Sequence, residues 1–565
     1  MNKPIYVLGT GLSHNGSAVL LKDGKVCVAI EKERLSRIKH DGGNDYLAIQ
    51  YCLDAENIKL SDIDLVVQCA NFEIPERNQY KGKRIFANTD FPKIVNISHH
   101  LAHAYSAVGT ASFNECNVVV IDGCGSPLDQ FLQLHPEHKH LIQPDIIKET
   151  KMQCEKDSFY YFNGQKLIPL WKDFSVMSPF SEKNLSTPTT KHSIGGFYAS
   201  VSKYVFGDMQ DVGKLMGLAP YGTSGVYKVD AFEFKESRLF IHHTWQYHFD
   251  KPSKGYSYFK KHFSYYANVA KWAQEQVEKA VLECIQYRTN SYPSQNLCYS
   301  GGVALNAVAN SKLLDLKLVD NIYFEPAAGD NGLALGCAFY GWLEHLNKPK
   351  TYHNGNTCFG KSYTDQEIEK AISNESIHFK KLENELDLLH YCAKQLQNGK
   401  TIAWFQSGSE FGPRALGRRS ILAHPGIKGL KDHINKNIKF REDFRPFAPA
   451  ILKDKVTEYF KYGRNSPYMI LVDKTKPEHV EDLLNVTHYD GSSRVQTVEE
   501  TWNPMFHKLI TEFYNVSGIP MVLNTSLNKK GTPIVETPKE AIKLFKETAI
   551  DILIIENYLI ETKLQ

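Results

Sequence analysis

Short apolar runs that stop at a glycine or a small polar turn, with helical stretches between them, set the tightest limit on how this chain folds. Tyr6-Val7-Leu8-Gly9 leads to the turn Ser13-His14-Asn15-Gly16. Ser17-Ala18-Val19-Leu20-Leu21 follows, then the turn Lys22-Asp23-Gly24, then Val26-Cys27-Val28-Ala29-Ile30. β-rich runs separated by turns of this kind predict hairpins. Further strands are expected at Asp64–Gln68, Asn117–Ile121, Leu297–Tyr299 and Met521–Leu523, and helices over His100–Thr110, Tyr266–Arg288, Val303–Leu314 and Gly332–Leu346. Strands interleaved with helices make the fold class α/β.

The chain's 565 residues are several times the roughly 100–200 typical of one domain. Residues 347–363, NKPKTYHNGNTCFGKSY, hold Pro, Gly and Asn without periodicity, which marks a boundary. A first domain over 1–350 and a second over 360–565 are expected. Residues 126–190 are polar and irregular, and read as an insertion of peripheral strands.

Composition narrows the function classes. Lys plus Arg is 66 and Asp plus Glu is 63, for a net charge of +3, which argues against a general nucleic-acid coat. No apolar run approaches the ~20 residues that span a bilayer, and the N-terminus lacks the apolar core of a signal peptide. The 11 cysteines are scattered without a C-x-x-C pair. A cytoplasmic protein with reduced thiols is expected.

Three clusters carry chemistry. In Ser98-His99-His100-Leu101-Ala102-His103, Ser98 is the expected N-cap of a helix. His99 and His103, four apart, then share one face near its start. Asp122 ends the strand Val118–Ile121 and offers a carboxylate. Two histidines and a carboxylate suit iron(II), with zinc or manganese as alternatives; helix-capping or core histidines are the competing reading. Asp330, in Glu325-Pro326-Ala327-Ala328-Gly329-Asp330, either completes the metal shell or holds a hydroxyl.

The second cluster is a set of glycine-rich loops, Ser300-Gly301-Gly302 through Asn306 and Gly213-Lys214 through Gly222. They suit a nucleotide, with backbone N–H groups near the anion and Lys214 as phosphate partner. The third lies in the second domain: Arg414 within Phe411–Ser420, Lys439 and Arg445 within Lys439–Pro449, Arg494, and Asn524 with Ser526. Arginines among Phe, Pro, Ala and Gly predict a phosphate site rather than a solvated basic face.

At these residues the chain resembles the O-carbamoyltransferases of the NodU/CmcH/TobZ type. The matching stretches are HHLAHAYSA, KLMGLAPYG, SGGVALN, PAAGDNGLALG, FGPRALGRRSILA, FREDFRPFAPA, HYDGSSRVQTV and GIPMVLNTSLNKKGTPIVETPKEA, running nearly end to end. The resemblance implies an actin-like (ASKHA) N-terminal domain, of the type found in tRNA threonylcarbamoyl transferases, and a YrdC-like C-terminal domain. It implies that carbamoyl phosphate and ATP, the latter with Mg2+, form carbamoyl-adenylate in the second domain. The carbamoyl group then passes to a hydroxyl at an iron site in the first.

By that resemblance His99, His103, Asp122 and Asp330 are the metal set, and Lys214, Gly301, Gly302 and Asn306 bind nucleotide. Arg414, Lys439, Arg445, Arg494, Asn524 and Ser526 bind carbamoyl phosphate and ATP, and His14 and Lys39 line the acceptor pocket. Asn15 stands where the family commonly has Asp, which removes a carboxylate from that position. The expected acceptor is a small sugar or natural product, as in antibiotic and other secondary-metabolite biosynthesis. No nucleic-acid or membrane partner is expected, and both a monomer and a homodimer are compatible with the sequence. The alternative is a threonylcarbamoyl-type transferase acting on tRNA.

Overall fold

The computed structural model describes residues 3–42, 45–70, 93–177, 190–375 and 377–561. The chain forms two compact units, Met1–Cys27 with Gly42–His353, and Val28–Asp41 with Asn354–Gln565. The fold is mixed α/β. The chain leaves the first unit at Cys27, and Val28–Asp41 belongs to the second unit, which an uninterrupted first domain over 1–350 does not include.

Strands β1 (Tyr6–Leu12), β2 (Ser17–Lys22), β4 (Leu65–Ala70) and β5 (Ile94–Asn96) of the first unit form a sheet with β3 (Lys25–Glu31), which starts in that unit and leaves it after Cys27, in the order β3-β2-β1-β4-β5. A second sheet has the order β12-β11-β6-β7-β8, from β6 (Cys116–Ile121), β7 (Gln153–Phe162), β8 (Leu167–Val176), β11 (Asn296–Ser300) and β12 (Asn321–Phe324). A small hairpin, β9 (Phe232–Lys235) with β10 (Arg238–Ile241), stands apart from both. Counted within each sheet, both orders are 3-2-1-4-5, with the central strand antiparallel to strand 2 and parallel to strand 4. The first unit therefore contains one architecture twice.

This duplication overturns the reading of 126–190 as a peripheral insertion. β7 and β8 are the second and third strands of the second copy, and β7 is buried almost throughout. The polar residues that made the segment look peripheral neutralise one another inside. Lys172 pairs with Glu155, and Lys156 lies 2.9 Å from Asp173. Residues 178–189 lie outside the described residues.

The second unit is built on an eight-stranded sheet, β13-β22-β21-β14-β15-β20-β16-β19. Its strands are β13 (Lys380–Lys381), β14 (Ile402–Phe405), β15 (Arg419–Ala423), β16 (Ala448–Leu452), β19 (Gln496–Val498), β20 (Met521–Ser526), β21 (Ile552–Ile555) and β22 (Tyr558–Glu561); β17 (Asp473–Lys474) and β18 (Ser492–Ser493) pair separately. Alternation along β14 gives the sheet two cores. Ile402 and Trp404 pack with Phe506 and Phe513, whereas Ala403 and Phe405 pack with Ile421 and Phe545. No helix among the described residues is long and apolar enough to cross a membrane.

Candidate active site

The helix His99–Thr110 is held between the sheets of the first unit and is almost wholly buried. Gly336, in the helix Leu333–Tyr340, permits its close packing: a Cβ there would sit 1.7 Å from the Ala102 carbonyl oxygen. Ser98 occupies the N-cap position with extended backbone but makes no capping bond. The cap comes instead from the segment first read as peripheral. His99 N donates to Ser126 Oγ at 2.9 Å, and His100 N donates to Glu155 Oε2 at 3.1 Å. A buried carboxylate at a helix start satisfies orphan N–H groups and complements the helix dipole.

On that helix His99 Nε2 and His103 Nε2 lie 3.1 Å apart. Asp122 Oδ2 is 3.3 Å from His99 Nε2, and Asp330 Oδ1 is 3.6 Å from His99 Nε2 and 3.8 Å from His103 Nε2. One donor atom from each of the four residues falls within 4.8 Å of the others, and all four residues are buried. In a tetrahedral shell with bonds of about 2.0–2.1 Å, donors stand about 3.4 Å apart. The two imidazoles turn their Nε2 atoms inward, while both Nδ1 atoms are buried without a hydrogen-bond partner among the described residues. Two imidazoles and two carboxylates converging in this way fit a divalent ion of the iron or zinc kind.

The surrounding chain fixes the carboxylates. Gly302 N donates to Asp122 Oδ1 at 3.1 Å, leaving Oδ2 for the cluster. Gly301 makes that turn possible, because its φ is +90° and a Cβ would lie 2.3 Å from the Ile121 carbonyl oxygen. His14, between β1 and β2, places Nδ1 3.0 Å from Asp330 Oδ2 with 55% of its side chain exposed. Burial resists ionisation of Asp330, yet facing His14 and His99 hold its carboxyl well below the usual range. Asp330 in turn raises the His14 imidazole.

The residues expected to bind nucleotide are less uniform. Gly301 and Gly302 adjoin the cluster. Asn306 is occupied as a helix N-cap, accepting from Ala309 N at 3.1 Å and exchanging hydrogen bonds with Gln274. Lys214 Nζ lies 2.5 Å from Asp211 Oδ2, so a phosphate there would compete with a carboxylate.

Glu155 also carries a stability prediction. Its Oε1 pairs with fully buried Lys172, while Oε2 takes N–H groups from His100 and Ser126. Burial opposes ionisation, but Lys172 and His100 outweigh it and hold the carboxyl down to about 2 against an ordinary 4.5. The contribution is therefore complete above about 4.5 and is lost as pH falls through about 2. Glu155→Gln strands the Lys172 charge, and the urea midpoint at neutral pH should fall by the equivalent of about 3–5 kcal/mol. Adding Lys172→Met should restore most of that loss. An unchanged midpoint in Glu155→Gln would show that the pair holds nothing.

The second unit gathers the other predicted residues at the ends of β15, β20, β16 and β19. Lys439 Nζ donates to the Ser526 carbonyl oxygen at 2.6 Å and to Asn528 Oδ1 at 2.6 Å. Asn524 Nδ2 donates to Gln496 Oε1 at 2.8 Å, leaving Oδ1 buried without a partner, as are Arg414 Nε and Arg494 Nε. Burial, then Arg445, pushes Arg414 down to about 10. Burial, then Arg414, Arg441 and Arg445, depresses Arg494 well below its usual value. Lys439 is depressed by burial and by Arg441, Arg445 and Lys39.

Arginine does not lose its proton in proteins, so these groups stay charged in buried, cationic surroundings that suit an anion. Glu442 is the carboxylate within reach, 3.9 Å from Arg445 Nη1. Arg441 was missing from the predicted set although it lies four residues before Arg445. Lys39, expected with His14 to line the acceptor pocket, lies in the second unit with its charge felt at Lys439; Val28–Asp41 is held in that unit by Arg34 Nη2 on the Gly412 carbonyl oxygen at 2.7 Å and Arg37 Nη2 on that of Pro533 at 2.7 Å.

Nodulation protein NolNO of Sinorhizobium fredii (strain NBRC 101917 / NGR234) is 30% identical over 97% of this chain and 79% of its own length. Nodulation protein NolO of Bradyrhizobium diazoefficiens is 30% identical over 83% of this chain and 79% of its own. An uncharacterized protein of Methanocaldococcus jannaschii is 29% identical over 98% and 99%. Among solved structures, HypF of T. kodakarensis aligns with 61% of this chain and 49% of its own at 14% identity and a TM-score of 0.38, a likeness too slight to assign fold or function. The family model for the carbamoyltransferase N-terminus matches residues 7–85 and 76–339, and that for the carbamoyltransferase C-terminus matches 393–562. The chain belongs to the carbamoyltransferase family and is a carbamoyltransferase enzyme.

Proposed function

We propose that the chain is an ATP-dependent O-carbamoyltransferase. The second unit activates carbamoyl phosphate with Mg-ATP to carbamoyl-adenylate, and the first transfers the carbamoyl group to a hydroxyl of a small acceptor. The duplicated 3-2-1-4-5 sheet order supports an actin-like first unit. The mixed sheet with cations at its strand ends supports a YrdC-like second one. The observation that carries the reading is the convergence of buried Arg414, Arg441, Arg494 and Lys439 with Arg445, each of the four depressed by burial and by its cationic neighbours, which suits a polyanion such as carbamoyl phosphate with the ATP phosphates.

His99, His103, Asp122 and Asp330 would hold the divalent ion, iron(II) by the donor set. When bound, that ion supplies Lewis-acid polarisation of the carbamoyl oxygen. His14 donates from Nδ1 to Asp330, which leaves the lone pair on Nε2. That tautomer takes the acceptor hydroxyl proton as the oxygen attacks the carbamoyl carbon and AMP departs. The Gly301-Gly302 turn lies beside Asp122, and its lack of side chains leaves room for the adenylate to approach the backbone. The likeness to nodulation proteins and the balanced charge favour a sugar or natural-product acceptor.

The test supplies purified protein with ATP, carbamoyl phosphate and a panel of hydroxylated metabolites. ATP should be cleaved to AMP only when carbamoyl phosphate is present, and one acceptor should gain the mass of a carbamoyl group. ATP cleavage to ADP, or transfer without ATP, would overturn the activation step. Carbamoylated tRNA nucleosides together with salt-sensitive tRNA binding would overturn the small acceptor.

A further inference from the structure

A second group of metal-ligating side chains stands in the first unit, outside the catalytic cluster. His135 closes the helix Leu128–Leu134, and the next residues, Pro136–Leu141, form a 3-10 turn. Pro136 sets φ at the first position of that turn, and the sequence His135-Pro136-Glu137-His138 folds back on itself. Glu137 Oε1 lies 3.3 Å from His138 Nε2 and 3.9 Å from His135 Nδ1. One donor from each of the three residues lies within 4.8 Å of the others. We propose that His135, Glu137 and His138 form a second divalent-metal site, of the zinc type, that fastens the Leu128–Lys148 segment.

Three features support it. The separations approach the roughly 3.4 Å between donors around a tetrahedral ion with bonds of about 2.0–2.1 Å, so closure needs movements of about half an ångström to one ångström. Two imidazoles and one carboxylate, with a fourth position left to water, are a usual zinc complement. The imidazole of buried His135 also makes no hydrogen bond among the described residues: its Nε2 has no partner there, its Nδ1 faces Glu137 Oε1 at 3.9 Å, and the Phe131 and His138 rings lie beside it. A buried imidazole is ordinarily hydrogen-bonded or ligated.

The segment has reason to need a fastener. Its helices Leu128–Leu134 and Pro144–Lys148 are short. Its own core is Phe131, Ile142, Ile146 and Phe174, with Leu128 and Leu132 partly buried. Cores of that size seldom hold short helices alone, and a structural metal is one remedy. Lys172, whose charge reaches both imidazoles, is already paired with Glu155.

The experiment strips the full chain with a chelator and titrates Zn2+ against a chromophoric competitor. It compares the wild type, His135→Gln/His138→Gln, Glu137→Gln, and His99→Ala/His103→Ala. Wild type should bind two equivalents, and each double variant should lose one. Glu137→Gln should weaken one class by about tenfold to a hundredfold. Zinc should raise the melting temperature of His99→Ala/His103→Ala protein but not of a further variant that combines those two substitutions with His135→Gln/His138→Gln. Equal zinc uptake by wild type and His135→Gln/His138→Gln protein overturns the proposal. So does a His99→Ala/His103→Ala variant that binds none, an outcome that leaves the catalytic reading standing. If His135→Gln/His138→Gln fails to fold, the Glu137→Gln titration decides: wild-type affinity in both classes overturns the site.

Discussion

Alanine at both His99 and His103 should abolish binding of the proposed divalent ion and lower carbamoyl transfer by about three orders of magnitude, the rate equivalent of roughly 4 kcal/mol of lost Lewis-acid stabilisation. Formation of carbamoyl-adenylate should continue, since no residue of the cationic cluster in the second unit is altered. The geometry makes this the most damaging change in the first unit. The two Nε2 atoms stand 3.1 Å apart, and removing both leaves only the carboxylates of Asp122 and Asp330, which suit harder ions. Elemental analysis of the purified variant reads metal loss without any turnover. His100→Gln is the control on the same helix. His100 is buried and bonded from Nδ1 to Ser158 Oγ at 2.7 Å, and burial pushes its imidazole down to about 3. That variant should lose stability and keep its metal. Wild-type transfer by metal-free His99→Ala/His103→Ala protein would end the assignment.

Much of this site is legible in the sequence, for a reason of scale. The i, i+4 spacing of His99 and His103 is set by the helix alone, and Asp122 follows from the end of a strand. Asp330 emerges from a small-residue loop ahead of a helix. Each is a local inference, and the fold brings them together. What escaped depended on partners distant in sequence. Ser98 has an N-cap sequence and the right backbone, but Ser126 and Glu155 serve the helix start instead. The strands carrying Glu155 and Lys172 looked peripheral because they are charged, whereas the charges cancel in pairs inside a sheet. The repeat of sheet order left no trace in the residues, since backbone topology and not side-chain identity is what recurs. The membership of Lys39 in the second unit escaped for the same reason. Its neighbours Arg34 and Arg37 bind carbonyl oxygens nearly four hundred and five hundred residues away, and no local pattern encodes that.

Arg494→Ala should abolish carbamoyl-phosphate-dependent AMP formation while leaving the ligand-free protein as stable as the wild type or more so. Loss of a charge-assisted phosphate contact costs about 1.5–3 kcal/mol, and more at a buried group, so affinity for the anionic substrates should fall by about a hundredfold or more. Stability should move the other way. Arg494 is buried among Arg414, Arg441 and Arg445, each of which opposes its charge. Its Nε has no partner, and Nη2 reaches the Met469 sulfur at 3.6 Å. Removing one of several buried like charges relieves repulsion and desolvation, whereas breaking a matched buried pair would be costly. Two measurements separate these effects. Thermal unfolding without ligand should give a melting temperature at or above that of the wild type. With ATP and carbamoyl phosphate, the wild-type temperature should rise by mass action and that of the variant should not. Carbamoyl-adenylate supplied directly should still react with acceptor in the variant, because the first unit is untouched. A variant that melts several degrees lower without ligand would show Arg494 to be a structural residue. One that forms AMP at the wild-type rate would remove the cationic cluster from the activation chemistry.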